Sequence, residues 1–256
     1  EGAAASDPAA AVDAALARER RSGTLPLAGP GERVADGLRD ELLAALRAWR
    51  ELEAAHPVAA PKEALQRRVA GVDFDDWLDG LRDAGAGRRI AIELRAGRLC
   101  RRAANRRPGI AADKLVAAWV RMLAAAACGH AIETALVGRD ALVRLEPLPR
   151  EAAQRHFDAL VGAWRAGMDA PLPLALRSGL TWAERGDEGA AAAVYDGRPG
   201  RPGEGAEPGL ARCYPDFEAL VADGRCAALV QALYEPLLAW ATRPLQLTRH
   251  GAGDDD

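Results

Sequence analysis

Hydrophobic residues recur at helical spacing in several long parts of the chain. Val34, Leu38 and Leu42 lie four residues apart, which is typical of the apolar face of an amphipathic helix. Asp113 and Gly129 have the character of an N-terminal cap and a C-terminal stop around a second apolar helix. We therefore predict helices over 13–21, 34–56, 113–129 and 150–168, short helices within 176–195, and closing helices within 217–240.

Shorter segments between residues 64 and 145 lose the helical spacing and predict β-strands. The chain thus reads as helices, then a sheet with an inserted helix, then helices again. This order indicates an α+β fold in which a mixed β-sheet is flanked by helices. The predicted strands are Arg67–Phe74, Trp77–Arg82, Arg89–Leu94, Arg98–Arg101, Thr134–Val137 and Ala141–Leu145.

Turn-forming residues suggest how the chain is organised. Residues 1–30 read as a lead-in helix with a turn-rich entry, 31–248 as the main domain, and 249–256 as a disordered tail. Within the main domain, the Gly- and Pro-rich segment 197–209 predicts a mobile loop. The chain begins at Glu1 rather than methionine, so we expect it to be a piece of a longer protein.

Composition narrows the classes of protein. Alanine supplies much of the 49% apolar fraction and aromatic residues only 5%, so we expect close-packed helix interfaces with six tryptophans as large anchors. The net charge of −3 argues against a uniformly basic nucleic-acid-binding protein, so any DNA contact needs local charge segregation. The four cysteines lack zinc or C-x-x-C spacing and read as buried, reduced thiols of a cytoplasmic protein. No apolar run has the roughly 20 residues that span a bilayer.

Asp79 and Glu93 are the sharpest candidates for chemistry. Carboxylates brought together from adjacent strands can hold Mg²⁺, which prefers hard oxygen ligands. Nucleases of the PD-(D/E)xK type have a lysine two residues after the second acid, where this chain has Arg95. A guanidinium does not replace a compact ammonium. We therefore interpret Asp79, Glu93 and Arg95 as a degenerate site with no metal. A Mg²⁺-dependent DNA nuclease that uses Asp79 and Glu93 is the alternative.

An arginine-rich stretch surrounds and follows Glu93. Eight arginines and one acid fall within residues 88–107, in a chain that has only two lysines. Arginine contacts to phosphate dominate nucleic-acid affinity, so part of this stretch is a candidate DNA-binding surface. A solvated sheet edge protected by charge, or simply an arginine-rich composition, is the alternative. The candidate DNA-binding residues are Arg98, Arg101, Arg102, Arg106, Arg107 and Lys114.

Other catalytic motifs are missing from the sequence. The four histidines are scattered without the spacing of metal ligands. Ser178 lies in Arg-Ser-Gly-Leu rather than in the Gly-x-Ser-x-Gly turn of hydrolases. No Gly-x-x-x-x-Gly-Lys-Ser/Thr run is present to bind the phosphates of ATP.

Six short motifs occur in order along nearly the whole chain. They are Gly-Thr-Leu-Pro-Leu-Ala-Gly at 23–29, Asp-Trp-Leu-Asp-Gly-Leu at 76–81, Asp-Lys-Leu-Val-Ala-Ala-Trp-Val at 113–120, Pro-Leu-Pro-Leu at 171–174, Tyr-Asp-Gly at 195–197 and Tyr-Pro-Asp-Phe-Glu at 214–218. In order and spacing they resemble the C-terminal region of RecC, the gamma subunit of exodeoxyribonuclease V, the RecBCD helicase–nuclease.

The resemblance implies a PD-(D/E)xK nuclease-like fold that has lost catalysis, in agreement with Arg95. It implies a non-catalytic domain that handles DNA and docks to the RecB and RecD subunits, in double-strand break repair and homologous recombination in the bacterial cytoplasm. Mg²⁺ and ATP would belong to the partner subunits, so no cofactor and no membrane are expected here. Chi recognition is attributed mainly to a helicase-like part of the family, so the resemblance does not carry it over to this chain. A pure protein-interaction module is a further alternative.

Overall fold

A mixed five-stranded β-sheet flanked by helices forms the centre of the protein, which confirms the predicted α+β class. The computed structural model describes residues 7–101 and 109–250. Within these ranges the helices are α1 (Pro8–Arg21), α2 (Ala28–Ala55), α3 (Val116–Ala127), α4 (Arg150–Asp169), α5 (Leu176–Arg185), α6 (Glu188–Asp196), α7 (Pro208–Cys213), α8 (Phe217–Val221) and α9 (Arg225–Ala241), with 3₁₀ turns at Ala112–Lys114 and Glu204–Ala206. The strands are β1 (Glu63–Val69), β2 (Val72–Leu78), β3 (Leu81–Asp83), β4 (Arg89–Leu94), β5 (Ile132–Val137), β6 (Ala141–Leu145), β7 (Gly197–Arg198), β8 (Arg201–Pro202) and β9 (Gln246–Arg249).

The main sheet has the strand order β3-β4-β5-β6-β9. Strands β4 and β5 are parallel and are connected through α3, whereas the other neighbouring strands are antiparallel. Side chains alternate across the sheet. Ile90 packs with α2 on one face, and the next residue, Ala91, belongs to the cluster that contains α3 on the other. Strands β1 and β2 form a separate ribbon beside this sheet.

Helix α3 contributes a largely apolar, buried surface to the main core. Its residues Ala124–Ala127 are all buried, as expected for a close-packed alanine-lined interface. Trp119 and Trp240 pack with ring centroids 5.3 Å apart, so these two tryptophans are anchors as predicted. Trp77 and Trp164 are instead 54% and 56% exposed, and for them the prediction was wrong.

Strands β4, β5 and β6 and helix α4 match their predicted positions within two residues, but several other boundaries were wrong. The predicted strand Arg67–Phe74 crosses the turn at Ala70 and Gly71, whose φ angles of 50° and 79° suit a two-residue hairpin. The predicted strand Trp77–Arg82 crosses a second turn at Gly80, with φ 71°.

The predicted Arg98–Arg101 strand is reduced to an isolated bridge between Cys100 and Ile110.

Two helix starts differ from the prediction. Helix α1 begins at Pro8 because the Asp7 side chain accepts a hydrogen bond from the Ala9 amide at 3.0 Å. Asp113 does not cap α3, since it lies within the preceding 3₁₀ turn.

The C-terminal quarter is more ordered than the sequence predicted. The segment 197–209 is not an irregular loop, because it contains the β7–β8 hairpin and a 3₁₀ turn whose Glu204 is only 3% exposed. Strand β9 was not predicted because all four of its residues are exposed and show no apolar alternation. It pairs with β6 as far as Arg249, and residues 251–256 of the predicted tail lie outside the described residues.

All four cysteines are free thiols, of which Cys100 and Cys226 are buried and Cys213 is exposed, against the prediction of general burial. No helix in the described parts of the chain is long and apolar enough to cross a membrane.

A second core lies beneath α5, α6 and α9 and contains Tyr195, Phe217 and Cys226.

Alkaline pH is expected to destabilise this second core. Burial, followed by the charge of Asp223, raises the pKa of the Cys226 thiol from 9.0 to about 11. Burial, followed by Glu204, raises the pKa of Tyr195 from 10.0 to about 12. Because the unfolded chain loses these protons first, the stabilisation is complete below pH 9. It is lost as pH rises through 11 and 12, by at most about 1.4 kcal/mol per pH unit per group.

Urea unfolding at a series of pH values from 8 upward would measure this loss. Cys226→Ala removes one of the two groups, so its free energy of unfolding should fall less steeply than that of the wild type as the pH rises above 9. A wild-type free energy of unfolding that stays constant to pH 11 would contradict the burial described for both side chains.

Candidate nucleic-acid interface

One residue of the predicted acid pair lies just before the β3–β4 hairpin, and the other lies within it. Asp79 is exposed in the turn before β3, where its carboxylate accepts a hydrogen bond from the Gly80 amide at 2.7 Å. Glu93 lies inside β4, and its side chain is 14% exposed. Pairing of β3 with β4 begins at Leu81 opposite Ala91, so Asp79 lies just before the paired segment. The two acids therefore come from neighbouring backbone segments but occupy different environments.

Both oxygens of Glu93 are already bound by arginines. Arg95, the residue that follows β4, donates to Oε2, and Arg121 from α3 donates to Oε1. A divalent cation would have to displace two guanidinium groups from one carboxylate. No group of three or more His, Cys, Asp or Glu side chains suited to a metal occurs in the described residues. The arrangement therefore fits an arginine-clamped carboxylate and does not fit a Mg²⁺ site.

The predicted DNA-binding residues that the structure describes each have a carboxylate partner. Arg98 donates to Glu41 on α2, and Arg101 donates to Glu184 on α5. Lys114 lies 2.8 Å from Asp113. Since Glu41 is only 17% exposed, Arg98 would have to leave a half-buried ion pair to reach a phosphate. Arg102, Arg106 and Arg107 lie outside the described residues.

Other arginines of the main sheet are paired in the same way. Three further glutamates at the edges of the core accept from strand arginines, and each side chain of these pairs is at most one third exposed. Two of these pairs join elements more than 20 residues apart, the third joins the consecutive strands β5 and β6, and losing one partner leaves a poorly solvated charge. Much of the arginine-rich composition therefore serves the fold. The pairs are Arg82–Glu53, Arg89–Glu63 and Arg144–Glu133.

A second group of arginines surrounds a cleft beside the β7–β8 hairpin. These residues were not identified from the sequence. Arg177 and Arg185 come from α5, and Arg198 and Arg201 come from the β7–β8 hairpin. We call these four residues and the space between them the arginine cleft. Its volume is about 500 Å³, and small side chains of α6 line the remaining wall.

The hairpin is held against α6 by close backbone contacts. A β-carbon on Gly203 would overlap backbone atoms of Tyr195 and Gly197, and one on Gly205 would overlap the Tyr195 ring. Tyr195 is fixed in turn, because its hydroxyl donates to the Tyr214 carbonyl oxygen at 2.6 Å. The arginines of the hairpin are therefore presented from a well-packed base.

Glu204 directly follows Gly203 of the cleft lining and packs against α5. Its carboxylate accepts hydrogen bonds from the backbone amides of Arg177 and Ser178, both at 2.8 Å, and from the Ser178 hydroxyl at 2.9 Å. These amides lie in the first turn of α5, where Ala175 offers no side-chain cap. Glu204 thus caps the helix that carries Arg177 and Arg185.

Charge in the arginine cleft is unbalanced. Among the residues that the structure describes, a carboxylate approaches only Arg177 of the four, whose Nε lies 3.8 Å from Glu204. Arg185, Arg198 and Arg201 have no ion-pair partner in the part of the chain that the structure describes. Arg198 and Arg201 lie directly opposite each other across the hairpin, and like charges in this position destabilise a β-ribbon. The Arg-Pro-Gly-Arg-Pro repeat at 198–202 was the sequence signal for this pair.

A family model described as the RecC C-terminal domain matches residues 3–187. No curated protein matches the chain. The matched segment contains the predicted acid pair and α5 with two of the cleft arginines, and it ends before the hairpin that supplies the other two.

Proposed function

The chain belongs to the RecC C-terminal domain family, and we propose that it is a non-catalytic domain that contacts DNA and docks partner subunits. Membership of this family supports a role in the RecBCD helicase–nuclease, exodeoxyribonuclease V. In our proposal RecB and RecD are the partners, and Mg²⁺ and ATP act in those subunits. The domain would serve double-strand break repair and recombination in the bacterial cytoplasm.

The observation that carries the non-catalytic proposal is the double arginine clamp on Glu93. Metal-dependent hydrolysis of a phosphodiester needs carboxylates that are free to hold the cation. Here Arg95 and Arg121 neutralise the more buried acid, and Asp79 turns its carboxylate toward its own backbone. A guanidinium at position 95 also replaces the expected lysine.

A nuclease-like ancestry is part of the same proposal. The order of an acid, a hairpin, an acid-x-basic tripeptide and a helix is present as Asp79, β3–β4, Glu93–Arg95 and α3. This order supports a degenerate PD-(D/E)xK fold. The proposal accounts for carboxylates at both positions without a metal site between them.

Exposed apolar side chains support the docking part. Trp164 and Met168 lie one turn apart on α4 and are 56% and 70% exposed. Large apolar groups that neighbour one another at a surface are typical of protein interfaces. A pure protein-interaction module is the second candidate, because Arg98 and Arg101 are already paired with carboxylates. A chain that co-purifies with RecB or RecD and binds no DNA at low salt would match this candidate.

We expect the purified chain to cleave neither single- nor double-stranded linear DNA in Mg²⁺ or Mn²⁺, because Glu93 is not free to bind the cation. Gel analysis of labelled DNA would measure this. Asp79→Ala and Glu93→Ala are the controls, and their products should equal those of the wild type, so that trace cleavage is assigned to contamination. Wild-type cleavage that both substitutions abolish would overturn the proposal and establish the Mg²⁺-dependent nuclease.

A further inference from the structure

We propose that the arginine cleft binds the sugar–phosphate backbone of DNA through Arg185, Arg198 and Arg201. This inference deepens the proposed function and rests on it, because DNA is the ligand that the domain would handle. It differs from the sequence prediction in its residues, since the cleft lies on α5 and the β7–β8 hairpin.

Positive charge without a carboxylate partner favours DNA binding at the arginine cleft. Many guanidinium groups near the main sheet, such as those of Arg98 and Arg101, are matched by carboxylates. In the arginine cleft, three guanidiniums converge on one space without partners among the described residues. Glu204 is 3% exposed, accepts three hydrogen bonds from α5, and forms no ion pair with Arg185, Arg198 or Arg201 among the described residues.

The placement of the two hairpin arginines, Arg198 and Arg201, also favours a bound phosphate. Pro199 and Gly200, with φ 77° at the glycine, close a two-residue turn that puts Arg198 opposite Arg201. The pair repels in the free protein, and an anion between the two side chains would remove that repulsion. The packing of Gly203 against Tyr195 keeps the hairpin from moving away to relieve it.

The side chains that line the arginine cleft favour the sugar–phosphate backbone of DNA over its bases. Ala190, Ala193 and Val194 form the α6 wall, and no aromatic side chain lines the cleft in the described part of the chain. Without a stacking surface the cleft cannot hold bases in the usual way of single-strand binders. Guanidinium forks instead match phosphate oxygens in pairs. Binding should therefore be independent of base sequence and strongly dependent on salt.

Fluorescence anisotropy of a labelled DNA strand, free and as a duplex, over a series of NaCl concentrations tests the inference with the full 256-residue chain. The test variant is R198Q/R201Q. The matched control is R47Q/R155Q, which removes the same charge from exposed positions on α2 and α4. Arg185→Gln, on a different element, gives an independent reading should the hairpin variant fold poorly.

Removal of two phosphate contacts should weaken binding at low salt about tenfold or more. It should also lower the slope of log K against log salt by about 1.4 for a single strand. Arg185→Gln should show about half of this change in slope, whereas R47Q/R155Q should bind as the wild type does. The melting temperature of R198Q/R201Q should equal or exceed that of the wild type, because the variant loses a like-charge pair.

Other outcomes separate this inference from the proposed function. If the wild type binds DNA and both double variants weaken it equally, diffuse charge is responsible, so the cleft is wrong and the proposed function stands. If the wild type binds no DNA at low salt, the cleft and the DNA-contacting part of the proposed function both fail. If an aspartate-rich peptide displaces DNA from the wild type and binds more tightly than DNA does, the cleft serves an acidic protein partner instead.

Discussion

Replacing Glu204 with alanine is expected to lower the free energy of unfolding by about 3–5 kcal/mol. The substitution leaves three donors without an acceptor, namely the Arg177 and Ser178 amides and the Ser178 hydroxyl, and Ser178 is buried. It also removes a negative charge from the N-terminus of α5, where it is favoured. Equilibrium unfolding in urea, followed by circular dichroism, measures the change.

Two further variants identify the cause. Glu204→Gln keeps one carbonyl acceptor and should lose about half as much stability. Glu207→Ala removes an exposed glutamate three residues away that makes no capping hydrogen bond, and it should leave the free energy of unfolding within about 0.5 kcal/mol of the wild type. Equal stability of the Glu204→Ala and Glu207→Ala variants would show that the buried cap does not exist.

Replacing Gly203 with alanine is expected to lower the melting temperature by about 10 °C, the equivalent of about 3 kcal/mol or more. The added β-carbon would overlap backbone atoms of Tyr195 and Gly197, which cannot rotate away as a side chain can. Relief requires the hairpin to separate from α6, and this would disturb the hydrogen bond between Tyr195 and Tyr214. Differential scanning calorimetry provides the measurement.

Gly209→Ala is the matched control for this change. Gly209 lies in α7 with open space around its α-carbon, and alanine is the better helix former. This variant should melt at or slightly above the wild-type temperature. A Gly203→Ala protein that melts with the wild type would mean that the hairpin is not packed on α6, and the arginine cleft would then lack its fixed base.

The elements that were predictable are those whose local pattern agrees with their burial. Strand β4 and helix α4 start at the predicted residues, Arg89 and Arg150, because their apolar residues follow one period throughout. Ala70 was misread because a turn at a non-glycine residue with positive φ carries little signal of its own. Strand β9 has no recognisable signal in the sequence, because an exposed edge strand is defined by its partner, β6, rather than by its composition.

Site residues were less predictable than elements, for a physical reason. A count of arginines cannot distinguish paired from unpaired charge when the partners are far apart in the sequence. Arg98 meets an acid 57 residues away, and Arg101 meets one 83 residues away. The cleft arginines had a local signal in their Pro-Gly turn, but the abundance of Gly and Pro in 197–209 suggested mobility instead. Glu204 gave no signal, since nothing in the sequence marks a glutamate as the cap of a helix before it.

The position of β9 at the outer edge of the main sheet determines when the fold can be completed during synthesis. Strand β6 emerges from the ribosome about a hundred residues before Arg249, at ordinary elongation rates a delay of several seconds. Throughout this interval β6 presents an unpaired edge, and Trp119 lacks its contact with Trp240. Nascent chains at this stage have the exposed strand edge and apolar surface that promote association between copies. Strand β9 therefore covers the edge of β6 late in synthesis and leaves a short, polar strand at the edge of the sheet.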